Sequence, residues 1–495
     1  MENIGNKMAK GAIWMILFKL TERSLGLIST IILARLLIPS DFGLIALAMS
    51  MIAALELMSA FGFDIVLIQK QDNVTDDHYN TAWTFNVLFG LLSAATLVLL
   101  ANPAARFYAE PRLETVMYFL AMGNLIQGFQ NIGIIAFRKE MQFNKEFIFQ
   151  VCKKLSGFSV TVPLAFILGN YWALVAGILS GKTGGLLLSY IMNKYRPRLS
   201  LSCSKELFHF SKWLFINNII FFLNNRSTDF ILGKIGGSRQ LGLYTIGYEI
   251  SNLPTTELVA PINRAVFPGY ARIKHDLSKL ADGFISVIAL ITMLAVPAGV
   301  GIAATASLLV PVVLGDKWLE AIPLIQVLAL SGAVGAMQTN TGSIYLALGK
   351  PRVLTLLASI QAIILVTLVT LLSRRYGATG AAWGIFTTIL VSFPLNYVVL
   401  AKYIPVGVSR LFASMWRPLI ASACMFLLVH YYITSIAPQL FNGNIYVNLL
   451  VSVLAGASCY VLLVLLLWTL SGRPRGAEQQ ILEKVSERLP TLARS

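Results

Sequence analysis

Charge is scarce in this sequence. Only 13% of its 495 residues are Asp, Glu, Lys or Arg, where an ordinary soluble chain carries about 25%. A water-soluble globular fold of this length is excluded on that ground. Cysteine and histidine are scarce too, four of each. Cys152, Cys203, Cys424 and Cys459 are scattered, with no CxxC pair and no Cys/His cluster, so neither a zinc site nor a disulfide framework is signalled. The histidines lack ligand spacing, and no metal or cofactor is expected. Acidic residues are outnumbered, 23 against 39 basic ones, for a net charge of +16. In a soluble domain that excess would suggest nucleic acid. Here most basic residues fall in short loops between apolar runs, so membrane topology accounts for them better and no nucleic-acid partner is expected.

What is abundant is hydrocarbon: 56% of the residues are hydrophobic and the mean hydropathy is +0.72. Apolar runs long enough to cross a bilayer, about 20 residues each, recur along the chain. The first run is too long for the apolar core of a signal peptide and has no small-residue cleavage site, so it is expected to be retained. The expected fold class is an all-α polytopic membrane protein of about fourteen transmembrane helices. The spans run over 11–36, 42–66, 81–101, 114–136, 148–168, 171–192, 208–233, 241–268, 283–306, 319–347, 353–372, 377–401, 416–437 and 446–470. A polar tail from Gly472, with "AEQQILEKVSERL", reads as a surface helix.

The loops orient the chain. Twenty-three Lys and Arg fall on the face that holds the N-terminus, among them Lys194, Arg196, Arg272, Lys350 and Arg473. Eight fall opposite: Arg35, Arg106, Arg112, Lys234, Arg239, Lys317, Arg374 and Arg375. Cytoplasmic loops carry the excess of Lys and Arg. Both termini are therefore expected in the cytoplasm, as an even number of spans requires.

A repeat is visible as well. Shifting span 1 by 199 positions lays Trp14 on Trp213, Ile32 on Ile231, Leu33 on Leu232, Gly43 on Gly242 and Leu44 on Leu243, without gaps. "NIGI" at Asn131 resembles "NTGS" at Asn340, each near the end of the fourth span of its half. Six spans separate the copies, so the repeat is parallel. Such repeats form two bundles about a site near the bilayer midplane. The expected organisation is an N-terminal lobe over 1–200, a C-terminal lobe over 201–405, two further helices over 406–470 and a cytoplasmic tail over 471–495, with the lobes in pseudo-two-fold relation.

The few charges inside spans are concentrated. Lys19, Glu22 and Arg23 stand at i, i+3 and i+4 and so share one face of span 1, which Gly26 and Thr30 extend. Span 7 has a stripe of Asn218, Asn225 and Asp229, with Arg226 beside it. Span 2 carries Glu56 and Asp64, eight apart; span 8 carries Glu249, Glu257 and Arg264 in one sector. A charge at the centre of a spanning helix costs about 2.5–3.5 kcal/mol on insertion scales, so such residues mark functional sites. The functional reading is a water-filled cleft. In it Lys19, Arg23, Arg226, Arg264 and Lys182 hold an anion, and Glu22, Glu56, Asp64, Asp229, Glu249 and Glu257 couple to an ion or pair with the bases. The structural reading is that these charges only neutralise one another and pin helices together. Asn124, Gln127, Asn131, Gln338 and Asn340 are read as interhelical hydrogen-bonding residues. Lys153 and Lys154 are placed near a cytoplasmic end, and His209 and Lys212 at an interface.

"AGILSGKTGG" (Ala176 to Gly185) imitates a phosphate-binding loop. The first glycine of that motif is replaced by Ala176, and no soluble strand precedes it. The glycines are read as close helix packing.

"ARLLIPSDFGLIALA" (Ala34 to Ala48), "FRKEMQF" (Phe137 to Phe143), "YTIGYEISNLPTTELVAPINRAVFPGYARIK" (Tyr244 to Lys274) and "ALGKPR" (Ala347 to Arg352) together resemble the polysaccharide transporter family. These are Wzx-type flippases and exporters of the multidrug/oligosaccharidyl-lipid/polysaccharide superfamily, and the colanic-acid exporter branch is the nearest in character. The resemblance covers nearly the whole chain. It implies a multi-pass protein of the bacterial inner membrane that moves undecaprenyl-diphosphate-linked oligosaccharide from the cytoplasmic to the periplasmic leaflet. Two six-helix lobes plus two extra helices would rock between inward- and outward-open states, driven by H+ or Na+, with the polysaccharide polymerase machinery as a partner. Arg23 and Arg226 fall where the family tends to place cavity charges, but it has no strict site motif to carry over. A cation-coupled multidrug exporter of the same superfamily would need a carboxylate-rich lobe. A membrane glycosyltransferase or polymerase would show a DxD motif or a large periplasmic loop, and neither is present, so no enzyme is expected.

Overall fold

The computed structural model describes residues 4–59, 67, 75–204, 212–440, 443–474, 476–479 and 483. Among them the chain forms fifteen α-helices and no strand. These are α1 (Ile4–Leu36), α2 (Pro39–Ser59), α3 (Asp76–Tyr108), α4 (Arg112–Gly128), α5 (Ile135–Lys139), α6 (Phe143–Leu168), α7 (Trp172–Met192) and α8 (Lys212–Ser251). They continue as α9 (Ala260–Ile273), α10 (Leu277–Val313), α11 (Ile322–Gln338), α12 (Thr341–Ala347), α13 (Pro351–Leu400), α14 (Val408–Tyr431) and α15 (Ile445–Leu470).

Two of these helices are each two rods. Gly237 breaks α8 at φ 69°, and Gly377 breaks α13 at φ 59°. Only glycine takes the left-handed region without strain, so each break falls where a side chain would resist it. With α4–α5, α8–α9 and α11–α12 each taken as one interrupted pass, the rods follow the fourteen expected spans in order. Nine helices among the described residues are long and apolar enough to cross a bilayer by length and composition. The protein is a multi-pass membrane protein. Helix α1 is not among the nine, because Lys19, Glu22 and Arg23 lie within it. Helix starts follow local chemistry. Proline opens α2 and α13, where its missing N–H costs nothing. Asp276 caps α10 by accepting the Lys279 N–H at 3.0 Å.

The chain divides into two compact units, Met1–Gly242 and Leu243–Ser495. In the first, α1 packs on α6, α2 on α3 and α4, α3 on α4, and α7 on both α4 and α6. The α6–α7 seam is built from small residues. A Cβ on Gly177 would strike Thr161 Oγ1 and one on Gly184 would strike Ser156 Oγ. The Ser180 hydroxyl donates to the Ser156 carbonyl at 2.9 Å. The segment that imitates a phosphate loop is thus continuous helix, and its glycines serve close packing. In the second unit α10 is central, against α11, α14 and α15, with Phe284 and Tyr345 fully buried in its core.

The 199-residue repeat has a physical counterpart. Gly43 and Gly242, which the offset superposes, touch each other. A Cβ on Gly43 would strike the Ser238 carbonyl, and one on Gly242 the Pro39 carbonyl. Ser238 is Pro39 shifted by the same 199 positions. Asn131 and Asn340 are likewise both fully buried. Asn131 donates to the Tyr195 carbonyl at 2.7 Å. Asn340 donates to Asn263 at 2.6 Å and accepts from the Tyr270 hydroxyl at 2.8 Å. The interhelical role read from the sequence fits Asn340, whereas the Asn131 side chain ties the segment after α7 and accepts from the Gly133 N–H of its own turn.

The tail departs from a free surface helix at its start. Glu478 is buried against Arg417 of α14, 3.2 Å away, so residues 476–479 are docked on the second unit.

Candidate functional site

Asp229, on the first rod of α8, is the most buried of the expected carboxylates among the described residues, 7% exposed. It accepts a hydrogen bond from Ser50 of α2 at 2.7 Å and another from Arg226, one turn away, at 3.2 Å. Ser50 is fully buried and the Arg226 side chain is 45% exposed. The guanidinium is therefore anchored at one nitrogen and still presents donors outward. A planar fork of that kind matches phosphate oxygens.

On α1, Lys19 and Glu22 form an ion pair at 2.7 Å, with both side chains partly open. This is the internal pairing that the i, i+3 spacing allows. Arg23 is half-buried on the same face. Lys182 of α7 donates to the Asn124 side-chain carbonyl on α4, and Asn124 donates on to Ser93 of α3 at 2.9 Å. The Lys182 stem lies across Gly123, where a Cβ would come within 3.1 Å of it. The Glu56 carboxylate acts electrostatically on both Lys182 and Lys153 of the first unit.

In the second unit the expected residues lie on the second rod of α8, on the turn before α9 and on α9. The Arg264 Nε donates to the Ala260 carbonyl one turn back at 3.3 Å. Glu257 accepts from the Thr256 hydroxyl at 2.9 Å, within a π-helical turn, Thr255–Val259, that precedes α9. Such turns recur at functional sites. Glu249 is half-buried on the second rod of α8. Asp64 and His209 lie outside the described residues.

The sequence reading missed a charged latch in the loop after α3. Arg112 grips Glu110 through two bonds of 2.8 Å, and Ser238 donates to the same carboxylate at 2.7 Å. Asp41, 3% exposed, sits 3.6 Å from Arg112. The Lys234 ammonium binds the Phe107 carbonyl and lies 4.2 Å from the Phe107 ring centre. The Arg112 guanidinium beside it holds the Glu110 carboxyl below the usual carboxylate range, with Ser238 acting in the same direction. No spacing in the sequence joins residues 128 apart. Only the Gly43–Gly242 coincidence pointed towards this place.

Taken together, the first unit has cationic side chains inside spanning helices, with Lys19, Lys182 and Arg226 held by polar partners, and among the described residues no cluster fit for a metal. This arrangement can bind an anion. A sequence-family model described as "Polysaccharide biosynthesis protein" matches residues 32–323. The chain is similar to the lipopolysaccharide biosynthesis protein WzxC of Escherichia coli (strain K12), 25% identical over 425 residues, spanning 84% of this chain and 85% of that one. It is similar also to the succinoglycan biosynthesis transport protein ExoT of Rhizobium meliloti (strain 1021), 24% identical over 465 residues and spanning 92% of each. Among solved structures, the lipid II flippase MurJ in an inward closed conformation superposes with a TM-score of 0.71 at 11% identity, covering 92% of this chain and 99% of that one. The fold is of the MurJ type.

Proposed function

The chain belongs to the polysaccharide biosynthesis protein family, and on that premise we propose that it is a transporter of lipid-linked oligosaccharide. It carries undecaprenyl-diphosphate-linked repeat units from the cytoplasmic to the periplasmic leaflet of a bacterial inner membrane. It is not an enzyme. Both termini lie in the cytoplasm, as the Lys and Arg bias of the loops supports. Two six-helix lobes, 1–200 and 201–405, alternate access to the site, with 406–470 as additional helices. H+ or Na+ drives the cycle, and a polysaccharide polymerase receives the product.

The observation that carries the reading is the placement of arginine within spanning helices. A lipid diphosphate brings about two negative charges to the membrane surface, and hydrocarbon opposes their passage. Arg23 stands twelve residues into its span, about 18 Å at 1.5 Å per residue, near the bilayer centre. Arg226 stands eighteen residues into span 7, towards the periplasmic side. Each offers a phosphate-matching fork, and Lys19 lies one turn before Arg23 as an inner step. Lys182 and Arg264 complete the cationic set. Glu22, Glu56, Asp64, Asp229, Glu249 and Glu257 balance these charges or bind the coupling ion.

The test is polymer export in cells that depend on this protein. Arg23→Lys keeps the charge and loses the fork, so export is expected to fall; a simple ion pair would tolerate the exchange. An Arg23→Ala, Arg226→Ala double variant is expected to abolish export while reaching the membrane in normal amount. Normal export by that variant would overturn the proposal.

A further inference from the structure

The second unit contains a cavity of about 390 Å³ between the second rod of α8, α11 and both rods of α13. That volume lies within the roughly 300–1,000 Å³ of small-ligand sites. No Asp, Glu, Lys, Arg or His lines it. Its polar groups are side-chain amides and hydroxyls, set among Leu and Ile side chains, with Tyr248 presenting a ring at the wall.

The amides are under-used. Neither Asn252 nor Gln361 has a hydrogen-bond partner for its side chain among the described residues, and both are half-buried. Asn396 donates to Gln338 Oε1 at 3.0 Å and to the Ser392 carbonyl at 2.9 Å. This leaves the Gln338 amide nitrogen as a donor and the Asn396 carbonyl as an acceptor, side by side. In a lobe surrounded by lipid, unmet amide groups are costly, so the cavity suits a polar occupant. A hydroxyl group both donates and accepts, and so meets the Gln338–Asn396 pair at once. A cation could use only the acceptor, and the donor would repel it. A phosphate or uronate carboxylate would find no cation here to offset its charge.

We propose that this cavity is a subsite for an uncharged sugar residue, held by Asn252, Gln338, Gln361 and Asn396 and faced by Tyr248. The identity of the occupant rests on the transporter reading, because the glycan cargo supplies it. The division of labour is by charge. The basic side chains take the diphosphate, and the charge-free chamber takes neutral sugar hydroxyls.

The test is saturation-transfer NMR on the purified full-length protein in lipid nanodiscs. The probes are glucose, galactose, N-acetylglucosamine and glucuronate, each alone, and NaCl alone as a control monitored by thermal midpoint. At least one neutral sugar is expected to bind saturably, and glucuronate is not. Gln361→Leu and Asn252→Leu are each expected to weaken that binding about tenfold, the loss that follows from removing one ligand hydrogen bond of about 1.4 kcal/mol. Because neither amide has a protein partner, neither variant is expected to lower the thermal midpoint. Gly335→Ala narrows the chamber without a clash, since its Cβ would stand 3.6 Å from Ile389; it should weaken binding while the fold stays intact. The proposal is overturned if no neutral sugar binds, if glucuronate binds as well, if the Leu variants bind like the parent, or if only Na+ raises the midpoint. Failure here, with export still dependent on Arg23 and Arg226, would leave the transporter reading standing. Sugar binding without any effect of those arginines on export would leave the subsite standing and remove the arginines from the transport path.

Discussion

Replacing Ser50 by Ala should destabilise the protein more than replacing Arg226 by Gln, although the second change removes a charge. Both residues serve Asp229. Ser50 is fully buried and its hydroxyl lies 2.7 Å from the carboxylate. Interhelical hydrogen bonds in membrane proteins average about 0.6 kcal/mol and reach about 1.7. Bonds to a charged group in soluble proteins run about 1.5–3 kcal/mol. A buried bond to a carboxylate belongs at the overlap, so Ser50→Ala should cost about 1.5–1.7 kcal/mol. Arg226 sits 3.2 Å from Asp229 with 45% of its side chain open. Solvent screening puts such a pair at about 0.2–1 kcal/mol. The assay is thermal unfolding of each variant in nanodiscs, followed by tryptophan fluorescence. A midpoint for Arg226→Gln as low as that for Ser50→Ala, or lower, would refute the reasoning. The ranking matters for function. If Arg226 contributes little to stability, a loss of export on its replacement reports a lost substrate contact rather than a damaged fold.

Gly43→Ala and Gly242→Ala should each lower the midpoint or the membrane yield. The added Cβ meets a backbone carbonyl that cannot turn aside, and overpacking costs about 1–3 kcal/mol; a midpoint equal to the parent's would remove the Gly43–Gly242 contact from the account. Glu110 has a carboxyl held below its ordinary range by Arg112. Its contribution to stability is therefore present above the ordinary carboxylate range and is lost as pH falls through the depressed value. Glu110→Gln should flatten that acid limb in a series of midpoints from pH 7 to pH 3, and an unchanged limb would contradict the assignment. Reporter fusions at Lys194 and Gly472 should read cytoplasmic and one at Arg375 periplasmic; a periplasmic signal at Gly472 would break the even span number.

The helical order was legible because hydrocarbon imposes it. A run of about 20 apolar residues has one stable form in a bilayer, and the rods among the described residues are consistent with the order of the expected runs. The boundaries were less legible. Span 3 was expected over 81–101, yet α3 runs Asp76–Tyr108, because the helix continues beyond the apolar stretch. Pairings within one turn could be read directly: Lys19 with Glu22 and Arg226 with Asp229 follow from i, i+3 spacing. Pairings across the chain could not. Ser50 is a common hydroxyl 179 residues from Asp229, and nothing local marks it as the donor. The Ser238–Glu110 bond has the same character. The neutral chamber was hidden for another reason. Asn252 follows the end of α8, Gln338 ends α11, and Gln361 and Asn396 lie on the two rods of α13, and each alone reads as an ordinary interhelical polar residue. What defines the site is the bonds that they do not make.

The central claim is that this protein moves a lipid diphosphate oligosaccharide across a bilayer. It is tested most directly by reconstituting the purified full-length chain into vesicles that hold undecaprenyl-diphosphate oligosaccharide in one leaflet, with an ion gradient imposed. A membrane-impermeant glycan-oxidising reagent then reads how much lipid reaches the other face over time. The account predicts transfer well above that of protein-free vesicles, abolished in the Arg23→Ala, Arg226→Ala double variant. Transfer no faster than in protein-free vesicles, from protein shown to be folded, would contradict it.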